Sequence, residues 1–196
     1  MDREIEDLLK RLDQLEEEFE KRVEAQHAAF RYRIENGRAR FERGVQAEQR
    51  RLKMGLLRFF RESGLPEILS APVIYGMIVP FLFLDLTVTI YQFICFSLWR
   101  IEPARRGDYI VIDRQRLAYL NAIEKLNCVY CGYANGLIAY VQEIAGRTEQ
   151  YWCPIKHARR VRTHHARYRH FLDYGDADHF HERMQQLRED LRRTKG

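Results

Sequence analysis

Two cysteine-containing pairs carry the clearest chemistry in this chain. In Cys128-Val-Tyr-Cys131-Gly132 and Cys153-Pro154-Ile-Lys-His157, 21 residues separate Cys131 from Cys153. The full pattern is Cys-x2-Cys-x21-Cys-x3-His, four soft or borderline donors in two close pairs. That donor set suits a closed four-coordinate metal site, with zinc the expected ion. In a metal knuckle Gly132 would take a positive φ that turns backbone amides toward the thiolates. Cys153 would cap a helix that Pro154 starts, with His157 one turn on along the same face. The positive end of that helix would stabilise a metal-bound thiolate. The plainer alternatives are buried free cysteines, or a redox pair at Cys128 and Cys131. Cys95 lies in an apolar run and is expected to pack there or face lipid.

Other constellations are poorer. His164, His165, His170, His179 and His181 form no i, i+4 ligand pair. There is no His-Glu-x2-His motif, no phosphate-cradling glycine loop and no Gly-x-Ser-x-Gly elbow. Glu143 and Glu149 are carboxylates close enough in sequence to orient His157, although a solvent-facing role is the simpler expectation.

The elements that would position these residues fall into three stretches. Residues 1–63 read as one long amphipathic helix, running from residue 3 to residue 62, with an eleven-residue repeat. Leu8, Phe19, Phe30, Phe41 and Leu52 form one column, and Leu12, Val23, Ile34, Val45 and Leu56 a second. Eleven residues in three turns keep such a stripe on one side of a nearly straight helix. A helix this charged needs a partner for its stripe, which predicts a homo-oligomer or a protein partner. Charge is uneven along it. Residues 1–24 hold five basic and ten acidic side chains, and residues 25–62 hold ten basic and four acidic. The basic run at residues 49–61 also suits a membrane-surface helix.

Residues 64–100 form the second stretch. From Ile68 to Trp99 the chain is apolar apart from Asp85, Gln92 and a few hydroxyls, longer than the roughly 20 residues that cross a bilayer. Pro72 and Pro80 leave two readings open, a single tilted span or a re-entrant hairpin. Arg50, Arg51, Lys53, Arg58 and Arg61 lie before it, and Arg100, Arg105, Arg106, Arg114 and Arg116 after it. Positive flanks on both sides favour the hairpin, with the soluble parts in the cytoplasm. Asp85 is costly at mid-bilayer unless paired or hydrated. It marks either a transport or proton path or, more plainly, a pairing with a helix neighbour or a place at an interface.

Residues 101–196 form a helical module. A strand is expected at Tyr109–Ile112, and helices at about 113–127 with Asp113 as the cap, 134–147, 154–172 and 179–193. Lys156, Arg159, Arg160, Arg162, Arg167 and Arg169 have no acidic residue among them, as a lipid-headgroup surface would. Nucleic acid is the less favoured partner, since no recognised binding module accompanies the charge. Four cysteines are too few for a disulfide-built fold. Met1-Asp-Arg-Glu opens a charged run rather than a signal peptide.

A knuckle followed by a helix-start pair resembles treble-clef zinc sites. The knuckle alone resembles rubredoxin, which makes iron the second choice. Glu124-Lys-Leu-Asn-Cys128-Val-Tyr-Cys131, Tyr133-Ala-Asn-Gly136-Leu-Ile-Ala-Tyr140 and Arg147-Thr-Glu-Gln-Tyr-Trp-Cys153-Pro-Ile-Lys-His157 resemble a widespread family of uncharacterised bacterial membrane-associated proteins. That resemblance implies a bacterial inner-membrane location and no particular reaction. The sequence therefore predicts an all-α protein with a long N-terminal helix, a membrane-embedded helix or hairpin, and a small metal-stabilised module. The expected function is a membrane-anchored scaffold with a structural zinc site at Cys128, Cys131, Cys153 and His157. The alternatives are a redox protein or enzyme using iron or an open zinc site, and a lipid- or nucleic-acid-binding regulator.

Overall fold

A computed structural model describes residues 3–29, 32–35, 38–41 and 44–193. The described residues are all-α apart from one short hairpin. It divides into two compact units, Met1–Phe59 with Gln115–Lys125, and Phe60–Arg114 with Leu126–Gly196.

The first unit departs from the expected single helix. Helix α1 (Arg3–Ala29) is followed by strands β1 (Tyr32–Glu35) and β2 (Arg38–Phe41), then short helices α2 (Val45–Arg51) and α3 (Leu56–Glu62), the last of which runs on past the unit boundary. The strands are antiparallel, with Tyr32 opposite Phe41 and Glu35 opposite Arg38. Tyr, Ile and Phe favour strands, and the sequence between the strands is Asn36-Gly37, the dipeptide most favoured in two-residue hairpin connections. Phe30 of the expected repeat lies outside the described residues. On α1, Leu8, Leu12, Leu15 and Phe19 are all exposed. The pairs Lys21–Glu17 and Arg22–Glu18, both at 2.7 Å, lie along exposed helix surface. Such pairs add only a few tenths of a kcal/mol each.

The second unit is built on two long helices. The apolar run forms α4 (Leu65–Gly76) and α5 (Ile78–Trp99). Pro66 occupies the first turn of α4, where its missing N–H costs nothing. The break at Met77 has a direct cause. Pro80 has no N–H to offer the Gly76 carbonyl, and its ring crowds that carbonyl. Met77 keeps helical angles (φ −64°, ψ −12°), so the chain continues onward and does not turn back into a hairpin. Helix α5 ends at Arg100 in the left-handed region (φ 57°). The Ile101 and Arg100 amides return to the Phe96 and Ser97 carbonyls at 3.0 and 3.3 Å. That is a Schellman stop, and buried Ile101 and Phe96 supply its usual apolar contact.

Helix α7 (Ala122–Trp152) is one continuous helix of 31 residues where two were expected. Its cap is Asn121, not Asp113. The Asn121 side-chain oxygen accepts from the Ile123 and Glu124 amides at 2.9 and 3.0 Å, and Glu124 accepts from the Asn121 amide at 2.7 Å. This reciprocal box explains why the helix starts there. Helices α5 and α7 run parallel. Tyr75 donates to Asn127, Phe81 lies 6.4 Å from Tyr130, and Trp99 stacks on Tyr151 at 4.9 Å.

Parallel neighbours require a return connection, which residues 101–121 provide. The first half of it passes over both helices and includes the short helix α6 (Arg106–Tyr109) in place of the expected strand. Beyond α7 the expected helix at 154–172 is replaced by largely irregular chain. Ile155 bridges Leu172, and residues 166–170 form a 3-10 turn. Helix α8 (Phe180–Arg193) forms close to where it was expected and buries Leu187 and Leu191.

The return chain approaches α7 at a glycine. A Cβ on Gly136 would stand 2.6 Å from the Tyr109 carbonyl oxygen and 2.8 Å from the Ile110 Cα. Both are backbone atoms that cannot swing aside. Alanine gains up to about 1 kcal/mol of helix propensity, but overpacking costs about 1–3 kcal/mol. Gly136→Ala is therefore expected to destabilise the fold by about 1–2 kcal/mol in a denaturant titration. An increase in stability would show that the return segment does not sit this close.

Candidate functional site

The four expected metal donors are not brought together. Cys128 and Cys131 sit one turn apart within α7, and Cys153 follows the far end of the same helix. At about 1.5 Å per residue, the helix puts roughly 33 Å between Cys131 and Cys153. No knuckle forms. Gly132 is helical, and the described glycines with positive φ are Gly44 and Gly175. Gly132 instead admits the return chain, since a Cβ there would meet the Val111 carbonyl at 3.2 Å. Pro154 is buried and starts no helix, and the His157 amide donates to the Tyr168 hydroxyl at 2.6 Å. Cys131 and Cys153 are exposed, Cys95 and Cys128 half-buried. Among the described residues no group of three or more His, Cys, Asp or Glu could hold a metal ion. A closed tetrahedral site does not fit this arrangement.

What the unit does assemble is a polar seam behind the apolar helix. Phe81, Asp85, Val88, Gln92, Phe96 and Trp99 recur every three or four residues and form one face of α5. That face turns inward. Gln92 is buried, and its amide nitrogen donates to the Tyr140 hydroxyl at 2.9 Å and to the Ala104 carbonyl at 3.3 Å. Its amide oxygen accepts from the Ala104 N–H at 2.7 Å. One side chain thus satisfies both backbone groups of a buried residue in the return chain. Leaving them unpaired would cost on the order of 1–3 kcal/mol each.

Asp85 lies two turns earlier on the same face. Arg106 donates to both carboxylate oxygens, one of them at 3.3 Å, and the Tyr133 hydroxyl donates to the carboxylate at 2.9 Å. Asp85 is therefore a paired structural anion. Burial and the neighbouring carboxylate push the Tyr133 phenol up to about 12, so it remains a donor. Tyr133 and Tyr140 delimit one of the stretches that carry the family resemblance, but neither they nor Gln92 had an expected role. The signal that could have found Gln92 was its seven-residue spacing from Asp85, two helical turns along one face.

A second polar cluster ties the C-terminal chain to α7. Glu143 accepts from Arg147 at 2.7 Å and from Arg167 at 2.8 Å, and Arg167 also donates to Gln150 at 3.1 Å. Burial alone would raise the Glu143 pKa. The two guanidinium groups outweigh it, and the carboxylate lies below its ordinary range. Glu149 meets His165 at 2.8 Å rather than His157. Two cations of the expected basic surface are thus engaged internally, since Lys156 also pairs with Asp173 at 2.8 Å. Arg159, Arg160 and Arg162 are exposed.

The opposite face of α5 is apolar and open. Val79, Phe83, Leu86, Ile90, Phe93 and Leu98 are each about half exposed or more. Leu65–Trp99 is the one helical stretch among the described residues that is long and apolar enough to cross a membrane. No family model matches this sequence, and no curated protein or solved structure is significantly similar to it.

The separation of the donors leads to a direct expectation. Purified full-length protein should carry far less than one equivalent of zinc or iron by elemental analysis. Cys131→Ser and Cys153→Ser should each change stability by no more than about 0.5 kcal/mol, as exposed substitutions usually do. A stoichiometric metal released by either substitution would show that the donors converge.

Proposed function

We propose that this chain is a membrane-anchored scaffold. Helices α4 and α5 hold it to the bilayer, and the module built on α7 is organised on the inward face of α5. The exposed Leu8, Leu12, Leu15 and Phe19 stripe of α1 suits a protein partner or a second copy of the chain. The basic residues that flank the apolar helix favour a cytoplasmic position for the soluble parts, and the resemblance of the cysteine-bearing stretches implies a bacterial inner membrane.

One observation carries this reading. The two strongly polar side chains of α5, Asp85 and Gln92, are buried against protein, while the other face of the helix offers an apolar surface to its surroundings. A helix packed inside a soluble core would bury that second face as well. A structural zinc is not part of the proposal, because its four donors stand apart.

Flotation of the full chain with phosphatidylglycerol-containing vesicles tests the anchor. The protein should rise with the lipid, and Leu82→Ser, Leu86→Ser and Ile90→Ser combined should abolish this without loss of helical circular dichroism. Each apolar side chain is worth about 1.5 kcal/mol in transfer, so the triple change should weaken partitioning about 10³-fold. A parent protein that stays below the lipid, or a triple variant that floats equally well, would overturn the proposal.

A further inference from the structure

We infer that α5 lies in the plane of one anionic phospholipid leaflet, with its apolar face down, and does not cross the bilayer. This rests on the membrane-anchor reading and specifies how the anchor is seated. The return chain decides it. Ala104 is held at Gln92 and Arg106 at Asp85, so this chain runs alongside the middle of α5. Arg105, Arg106 and Asp108 on it are exposed. If α5 crossed the membrane with its partners in place, these charges would sit at mid-bilayer, where charged groups are strongly disfavoured. The return chain is also largely irregular between Ile101 and Asn121, and irregular backbone is not tolerated against lipid. Detaching it to free α5 would expose Asp85 and Gln92 to hydrocarbon. Lying flat avoids both conflicts, because the charged return chain and α7 then stay on the water side.

The surface on offer fits a leaflet. The apolar face of α5 repeats every three to four residues through Val79, Phe83, Leu86, Ile90 and Phe93. At its C-terminal end, Trp99 meets Trp152 edge-on at 5.7 Å, and Arg188 lies 4.7 Å over Tyr151 and 5.8 Å from the Trp152 ring. Aromatic rings backed by guanidinium groups suit the headgroup level of an anionic membrane. Arg61 and Arg100, both exposed, place further positive charge before α4 and after α5.

Spin-label depth measurements test this on the full chain with Cys95→Ala, Cys128→Ser, Cys131→Ser and Cys153→Ser. Single labels would be introduced by Val79→Cys, Leu86→Cys or Phe93→Cys, and the protein bound to vesicles of phosphatidylcholine with phosphatidylglycerol. All three labels should report a similar shallow depth, about 5–10 Å below the headgroup boundary. Binding should fall at least tenfold on phosphatidylcholine alone. A profile deepest at Leu86, near the midplane about 15 Å down, would mean crossing or re-entry and would overturn the in-plane seat while keeping the anchor. Equal binding to both vesicle types would remove the anionic requirement and overturn the proposal as stated. Protein that stays in solution, as monomer or as a dimer covering the same face, would overturn the seat and the anchor together.

Discussion

The buried polar groups of Ala104 must be paired, and Gln92 pairs both of them. Much of the second unit follows from this requirement. A chain leaving the end of α5 has to travel back before it can start a helix parallel to α5. Its backbone then crosses an apolar surface where unpaired N–H and C=O groups are expensive. Gln92 and Asp85 turn that part of the helix into a receptor for the returning chain, and Tyr140 and Tyr133 join the same hydrogen bonds from α7. Gly136 and Gly132 then let the chain approach α7 closely. Polar residues in a strongly apolar helix thus act as positioning groups, and their inward aim is what leaves the other face uncharged, with the exposed Thr87 and Ser97 hydroxyls bonded back to the Leu84 and Phe93 carbonyls.

Much of the architecture was legible in the sequence. The all-α class, the long apolar helix, the terminal helix and a pairing role for Asp85 were all readable from composition and periodicity. The arm departs from a single helix because its eleven-residue repeat is also compatible with β1 and β2. Asn36-Gly37 was the local signal for the hairpin, and it outweighs a weak helical stripe that has no partner to bury it. The start of α7 differs from the expected one although its signal is present in the sequence. Asn121-Ala-Ile-Glu124 is a capping box, a stronger start than the lone Asp113.

The cysteine pattern illustrates a different limit. Cys-x2-Cys predicts a knuckle only if the chain can leave the helical state there. Between Asn121 and Trp152 there is no proline, and Gly132, Gly136 and Gly146 lie on faces that receive other chain. Glycines that look like turn formers in isolation are here the small residues of a packed helix. The basic stretch after Cys153 follows the same logic. Its lack of acidic neighbours in sequence said nothing of Glu143 and Asp173, which supply partners through the fold.

The parallel pairing of α5 and α7 through the return chain is the feature on which the inward polar face, the open apolar face and the separated cysteines all depend. Pulsed dipolar distances on the full chain in a cysteine-replaced background measure it directly. Labels at Val73 and Leu126 mark the same end of the pair, and labels at Val73 and Trp152 mark opposite ends. Parallel helices require a short first distance, on the order of 20 Å, and a second of about 40 Å, set by the rise along α7. The reverse order would mean an antiparallel hairpin, and would contradict the seam and everything built on it.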